Sequence, residues 1–438
     1  MNKKIVKRIV KVLQVTLAAT MILFAVGCSE QEAAFPEYED DREMMIGAWD
    51  SPMNTLEDIQ LAKDMGLTHM FLDSVYAKRG TEAYEEALKL YEQVGLDVIV
   101  QMGSSGQTEA TVDDLTNYAD YSAVTHINYW DEPYYSNIDC IAELANEHIK
   151  KYGNDLIFLG NLFPNSATPA FENHGYTEYV RKYAEDVLSK FPEEYRYLSV
   201  DIYPLEGRNG ESYVRANWLG CIETIVSQAK ESGAIPHFFI QATEHYTYRA
   251  VTEEDIRYQF YVNMAFGAKA FSYFTYTSSI LDDFEHSCVD RFESCKTYDT
   301  YDMAKQVNSE IKSFEHVYLN YDWKGTLPVL GKNNTEGYNL NFDGMSNPLE
   351  TLDVANRYDA TEDALIGTFE DKDGNQGLMV VNFTDPANGL DNLVRFDFKE
   401  VSKVRVFRKG QVYDYEVLNN RFDIELESGE GVFIILVK

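Results

Sequence analysis

The sequence predicts an α/β protein: a (β/α)8 TIM barrel followed by a small all-β sandwich. Three observations carry this. From residue 44 onward, short β-rich runs alternate with amphipathic helical runs, eight times in order. Successive strands lie about 20–40 residues apart, the spacing a parallel crossover needs. Beyond residue 323 the helical period disappears, and short strand-like runs separated by turn dipeptides take over. Eight consecutive βα units favour a closed barrel over an open, doubly wound sheet. Neither G-x-G-x-x-G nor G-x-x-x-x-G-K-[ST] occurs, so the dinucleotide and P-loop readings lack their key feature.

The first strand, 44–49, ends in Asp50; its helix is capped near Thr55, carries Glu57 and Asp58 in the first turn, and stops at Gly66. The second strand, 67–72, ends in Asp73, and the helix 81–94 stops at Gly95. The third, 96–102, is followed by a short helix over 112–118. The fourth, 124–130, runs into Asp131-Glu132-Pro133, with a helix over 138–152. The fifth, 156–162, precedes a helix over 177–190. The sixth, 197–202, contains Asp201 and leads through Tyr203-Pro204 to a helix over 213–231. The seventh is 236–241 with a helix over 252–266, and the eighth is 270–276 with a last helix over 303–318. Further on, 378–383, 394–398, 404–407, 412–415, 421–424 and 432–437 read as strands, with hairpin-like turns at Asp373-Gly374 and Lys409-Gly410.

The N-terminus predicts export. Lys3, Lys4, Lys7, Arg8 and Lys11 precede an apolar run over 13–26, too short to span a bilayer comfortably. The stretch Leu23-Phe24-Ala25-Val26-Gly27-Cys28 resembles a bacterial lipobox, which implies a lipidated, palmitate-bearing Cys28 as the mature N-terminus. The predicted organisation is a signal peptide over 1–27, an acidic tether over 28–43, the barrel over 44–323 and the β-domain over 324–438. The expected location is the outer side of a bacterial membrane, held by the anchor. Export permits disulfides. Cys288 and Cys295 share a short polar stretch and could pair, while Cys140 and Cys221 fall on helical patterns and read as buried thiols. No cysteine has metal-site spacing.

The 438-residue chain holds 72 acidic and 38 basic residues, a net charge of −34. Such a field repels phosphate backbones, so nucleic acid is excluded as a partner, and polyanionic sugars are disfavoured. The 31 Tyr and 24 Phe are many, and a sugar-binding surface uses such rings because the apolar face of a pyranose packs on them.

Barrel active sites lie at the C-terminal ends of the strands. Those ends offer Asp50, Asp73, Gln101, Trp130, Asp131, Glu132, Asn161, Asn165, Asp201, Tyr203, Gln241, Glu244, Tyr273 and Tyr276. Carboxylates, amides and aromatics dominate. His126 and His237 lie inside strands and read as satisfied interior residues, so neither a metal, another cofactor nor a Ser-His-Asp site is expected. Paired carboxylates with stacking aromatics suit glycoside hydrolysis, in which one acid protonates the leaving oxygen and a second carboxylate attacks or activates water.

The fourth strand's end, Tyr129-Trp130-Asp131-Glu132-Pro133, resembles the Asn-Glu-Pro or Asp-Glu-Pro turn of clan-A barrel glycoside hydrolases, including family-42 β-galactosidases. The resemblance covers the barrel, as strand order and this one motif. It implies that Glu132 is the general acid/base, and that Asp131 stands where the clan commonly has a hydroxyl-binding Asn. It also implies a strand-seven Glu as nucleophile, where this chain has Gln241. Glu244 follows three residues later. Three arrangements follow, with Glu244 the preferred second carboxylate: Glu244 as nucleophile, Asp201 or Glu244 as general base in an inverting enzyme, or a site that binds sugar without cleaving it. Asp50, Trp130, Asp131, Asn161, Tyr203, Gln241 and Tyr276 are the candidate substrate contacts, with Trp49 and Tyr273 as further platforms.

Overall fold

The computed structural model describes residues 34–39, 42–103, 110–115, 117–208, 210–278, 284–334 and 342–438. Cys28 and the segment predicted as a signal peptide lie outside the described residues. No described helix is long and apolar enough to cross a membrane.

Eight parallel strands form the barrel: β1 (Met45–Ala48), β2 (His69–Leu72), β3 (Asp97–Gln101), β4 (Val124–Asp131), β5 (Ile157–Leu162), β6 (Tyr197–Val200), β9 (Ile235–Gln241) and β11 (Ala270–Phe274). Their order around the wall is β1-β11-β9-β6-β5-β4-β3-β2. The seam between β1 and β2 closes where Thr68 N donates to Ile46 O at 2.9 Å and Ile46 N donates to Thr68 Oγ1 at 2.9 Å.

Local chemistry sets the helix ends. Thr55 caps α1 (Leu56–Asp64) by accepting from Asp58 N. Gly95, at φ 71°, ends α2 (Glu82–Val94) in the left-handed conformation that glycine adopts at no steric cost. The chain then forms α3 (Ile138–Tyr152), α4 (Tyr176–Asp186), α5 (Trp218–Ser232), α6 (Glu253–Ala265), α7 (Asp299–Lys312) and α8 (Glu315–Tyr318). A reciprocal Thr252–Asp255 box starts α6.

Two helical expectations need correction. The third crossover has only a 3-10 turn, Val112–Leu115. The helix expected over 213–231 starts at Trp218, because an antiparallel hairpin, β7 (Leu205–Arg208) and β8 (Glu211–Val214), takes its first residues.

The barrel interior is filled by Met45, Phe71, Ile99, Leu159, Phe239 and Ala270, with Tyr203 above them. Among them runs a polar chain. Asn161 accepts from Ser199 Oγ at 2.9 Å, and Ser199 meets His237 Nδ1 at 2.8 Å. His237 Nε2 meets Ser272 Oγ at 2.9 Å. His237 is thus a satisfied interior histidine, and burial pushes its imidazole down to about 3.

The C-terminal region holds a six-stranded antiparallel sheet, β13-β15-β16-β21-β18-β19, and a three-stranded sheet, β14-β17-β20. The strands β13 (Tyr321–Val329), β14 (Ala355–Ala360) and β15 (Ala364–Asp371) escape the sequence reading. The others are β16 (Gln376–Asn382), β17 (Asn392–Phe398), β18 (Lys403–Arg408), β19 (Gln411–Glu416), β20 (Arg421–Leu426) and β21 (Gly431–Val437). Ile366, Val380, Phe396, Val404, Ile424 and Ile434 share one buried core.

The sheet seats on α6. Thr326 Oγ1 donates to Ala265 O at 2.9 Å, and a Cβ at Gly367 would run into the same oxygen.

The thiols also differ from expectation. Cys288 is buried and Cys295 exposed, and both are free, so they do not pair; Cys140 is exposed rather than buried, and Cys221 is buried.

Candidate active site

The register of β4 against β5 shifts between Asn128 and Asp131, so that Asp131 stands beside Asn161. Glu132 follows with φ 51°, its amide donating to Asn161 O at 2.9 Å. A glutamate held in the left-handed region carries a steric cost that concentrates at functional sites. Asn161 Nδ2 donates to Asp201 Oδ1 at 2.9 Å and lies 3.4 Å from Asp131 Oδ1. Its Oδ1 is already taken by Ser199, so both amide hydrogens are committed to the two carboxylates.

Asp131, Glu132 and Asp201 are therefore gathered over the ends of β4 and β6, each only partly exposed. Burial, then the neighbouring Glu132, pushes Asp131 up to about 7, against the Asn161 hydrogen bond. Burial raises Asp201 well above the usual carboxylate range, with Glu132 and Asp131 adding to it. Crowded carboxylates in a poorly solvated site share protons, so the cluster can both give and take one near neutrality.

A second charged group sits at the ends of β1 and β2. Asp50, at φ 63°, lies 3.3 Å from Arg291 Nη2. Burial pushes its carboxyl up to about 7 in spite of Arg291, and Asp73 adds to the rise. The half-buried Trp49 ring leans on Phe71 and Phe239, with centroids 4.8 and 6.0 Å away. A cavity of about 690 Å³ opens nearby, lined by Ser74, Arg79, Met102, Asp114 and Tyr118. The carboxylate cluster does not line it.

Strand seven contributes differently than expected. Gln241 is fully buried. Its Nε2 donates to Leu205 O (3.1 Å) and Arg249 O (2.8 Å), and its Oε1 accepts from Leu205 N (3.2 Å). The amide is spent on clamping the loops above it, so Gln241 is not a sugar contact. Glu244 starts a two-residue strand, β10 (Glu244–His245), paired with β12 (Phe284–Glu285). Its carboxylate lies 3.3 Å from His286 Nε2. Donor atoms of Glu244, Glu285 and His286 all lie within 4.8 Å of one another, a set that could hold a cation. The carboxylates acting on Asp201 are Glu132 and Asp131.

Among the expected platforms, Trp130 (7% exposed), Tyr273 (0%) and Tyr276 (0%) are buried in the main core and cannot carry a sugar. Tyr203 is also buried, edge-on to His245 and Tyr248 at 5.5 Å each, with its phenol in electrostatic reach of Asp201, Glu132 and Asp131. Asn165 donates to Asn217 O at 2.9 Å and is engaged in tying the loop after β5 to the start of α5. Arg291 and Ser199 are contributors that the sequence reading missed. Ser199 could have been found by period two, since it sits two residues before Asp201 on the same face.

No protein-family model matches the chain, and no curated protein does. Solved structures do match in fold. An α-amylase from Anoxybacillus aligns over 91% of this chain and 99% of its own, with TM-score 0.51 and 11% identity. A β-L-arabinopyranosidase of glycoside hydrolase family 27 from Geobacillus stearothermophilus aligns over 91% and 97%, with TM-score 0.50 and 9% identity. At these identities the likeness is one of fold: the chain shares with both a (β/α)8 barrel that continues into an antiparallel β-region.

Proposed function

We propose that the protein is a glycoside hydrolase acting on a neutral oligosaccharide or polysaccharide outside the cytoplasm. One observation carries this reading: Asn161 draws Asp131 and Asp201 together beside Glu132 at the C-terminal mouth of the barrel. Glu132 is the general acid/base, by its resemblance to the clan-A strand-four motif. Asp201 is the favoured second carboxylate, because it shares the cluster, whereas Glu244 is paired with His286. Asp131 and Tyr203 flank the reacting centre, and Asp50 and Trp49 form its far wall. The names of the two similar solved structures, an amylase and an arabinopyranosidase, support the substrate class.

The experiment is a panel of aryl glycosides and neutral polysaccharides with product analysis. Glu132→Gln and Asp201→Asn should each lower kcat by about 10²–10⁴, the range of a lost acid/base. Wild-type turnover in either variant removes that residue from its role. Proton NMR of the first-formed product reads the stereochemistry, which follows carboxyl separation: roughly 5–5.5 Å for retention and 6.5–9.5 Å for inversion.

A sugar-binding protein without turnover is the second reading, favoured by the sealed Gln241 on strand seven. Glycan-array binding without reducing-end release would support it. The lipid anchor belongs to the same proposal: Cys28→Ser should abolish labelling by palmitate and move the protein out of the membrane fraction.

A further inference from the structure

The carboxylate cluster is compact, and exposed rings stand on the loops around it. Among the described residues of the barrel region the large apolar side chains that stand exposed are Val75 (54%), Tyr134 (40%), Tyr213 (43%), Tyr246 (71%) and Phe292 (77%). All five follow barrel strands at their C-terminal ends, and none lies on a described helix. Exposed apolar groups confined to one face mark a contact surface, whereas scattered ones need no explanation.

Three of the rings also fall in sequence around the wall. Tyr246 follows β9, Tyr213 follows β6 and Tyr134 follows β4, and these strands are neighbours in the order β9-β6-β5-β4, whereas the segment of Phe292 crosses to the ends of β1 and β2, where Arg291 reaches Asp50 at 3.3 Å and its carbonyl accepts from Tyr76 at 2.8 Å. The loop after β5 supplies the half-buried Phe163, whose ring lies 5.6 Å from Tyr134. Four adjacent strands span about 14 Å at roughly 4.8 Å each, longer than any single sugar unit. The arc begins two residues from Glu132 and passes the end of β6, where Asp201 lies.

From this arrangement we infer that the mouth holds a neutral polysaccharide chain across several consecutive sugar units, with Tyr134, Tyr213 and Tyr246 as stacking platforms. The inference rests on the proposed sugar site and extends it from a single reacting unit to a polymer. Rings offer a flat apolar face, and Tyr adds a hydroxyl that can stay wet, which suits the alternating apolar and hydroxylated surface of a glycan. Among the described residues, apart from Val75, the exposed apolar rim is aromatic, unlike the aliphatic-rich centre of a protein interface. Polyanionic chains are opposed by the net charge of −34 and by the carboxylates at the mouth.

The test uses the full chain in detergent, carrying Glu132→Gln so that ligands survive. Amylose, galactomannan and xyloglucan, with oligosaccharides of rising length from each, are the probes, and calorimetry reads affinity. For at least one polymer, affinity should rise about tenfold or more with length. Tyr246→Ala and Tyr134→Ala should each remove roughly tenfold of that gain, the worth of one ring contact. Tyr246→Phe, which keeps the ring, should restore it.

Affinity independent of length, no binding to any of the three polymers, or rim variants that bind like the parent would each overturn the inference. So would tighter binding of polygalacturonate, or a change of oligomeric state in Tyr246→Ala, which would make the rim a protein interface. Wild-type turnover is measured separately. Polymer binding without release of reducing ends sinks the hydrolase reading and leaves this inference standing; hydrolysis of short glycosides with length-independent affinity does the reverse.

Discussion

Replacing Asp131 with asparagine probes the electrostatics of the site without any substrate. Asparagine keeps the shape of the side chain and cannot ionise. In the folded protein burial and Glu132 push the Asp131 carboxyl up to about 7; in the unfolded chain it returns to about 3.9. Between those values the native state holds a proton that the unfolded state has released. Stability from this group is therefore complete below about pH 4 and is lost as pH rises through about 7. At about 1.4 kcal/mol per pH unit, the ceiling is roughly 4 kcal/mol. Asp131 keeps a solvent-accessible edge, and screening there leaves an expected effect of about 2 kcal/mol. Asp131→Asn should thus gain about 2 kcal/mol on the wild type between about pH 4.5 and pH 8, read from urea melts followed by tryptophan fluorescence. Asp50 titrates with the same sign in both proteins, and the lost Asp131 charge relieves part of the rise at Asp201, which widens the gap in the same direction. A gap that stays constant across that range would refute the raised carboxyl and the crowding behind it.

Other features make predictions that need no substrate. Arg249 pairs with Asp255 and, at 3.1 Å, with Asp385 of the β-region; Arg249→Ala leaves two buried carboxylates without their cation and should cost about 3–5 kcal/mol in urea melts. Gly367→Ala drives a methyl group into Ala265 O and should lower stability by about 1–3 kcal/mol, visible as a drop in Tm. Ellman's reagent should find Cys140 and Cys295 at once in the native protein, and Cys221 and Cys288 only after unfolding; rapid reaction of Cys288 would contradict its burial.

The barrel was legible because period-two and period-3.6 patterns are local, and each strand end could be read from its own few residues. Asp50, Asp131, Glu132 and Asp201 all stand at the mouth as that counting expected. Orientation was less legible. The register shift between Asn128 and Asp131 seats Asp131 on Asn161 and leaves Trp130 in the buried core, and nothing in the run Tyr129-Trp130-Asp131 announces a bulge. The hairpin β7–β8 hid inside an apparent helix start because its pairing is with itself, not with the barrel. Tyr276 and Gln241 looked like surface contacts because strand ends are exposed on average; here loops from elsewhere in the chain cover them. In the C-terminal region, β14 stayed unread because Asn356 and Arg357 stand side by side at a bulge and break its alternation.

The Gln241 clamp has a bearing on the order in which this site could ever be altered. Gln241→Glu would look like a single-step recovery of a strand-seven nucleophile. Yet a carboxylate has no proton to give to Leu205 O or Arg249 O, and would face both oxygens at about the distances the amide now spans. The substitution would expel the loops before it created chemistry. A route to a strand-seven carboxylate must first re-house the backbone at Leu205 and Arg249 and only then change the side chain. Taken in the opposite order, every intermediate is less stable than its parent and has gained no function.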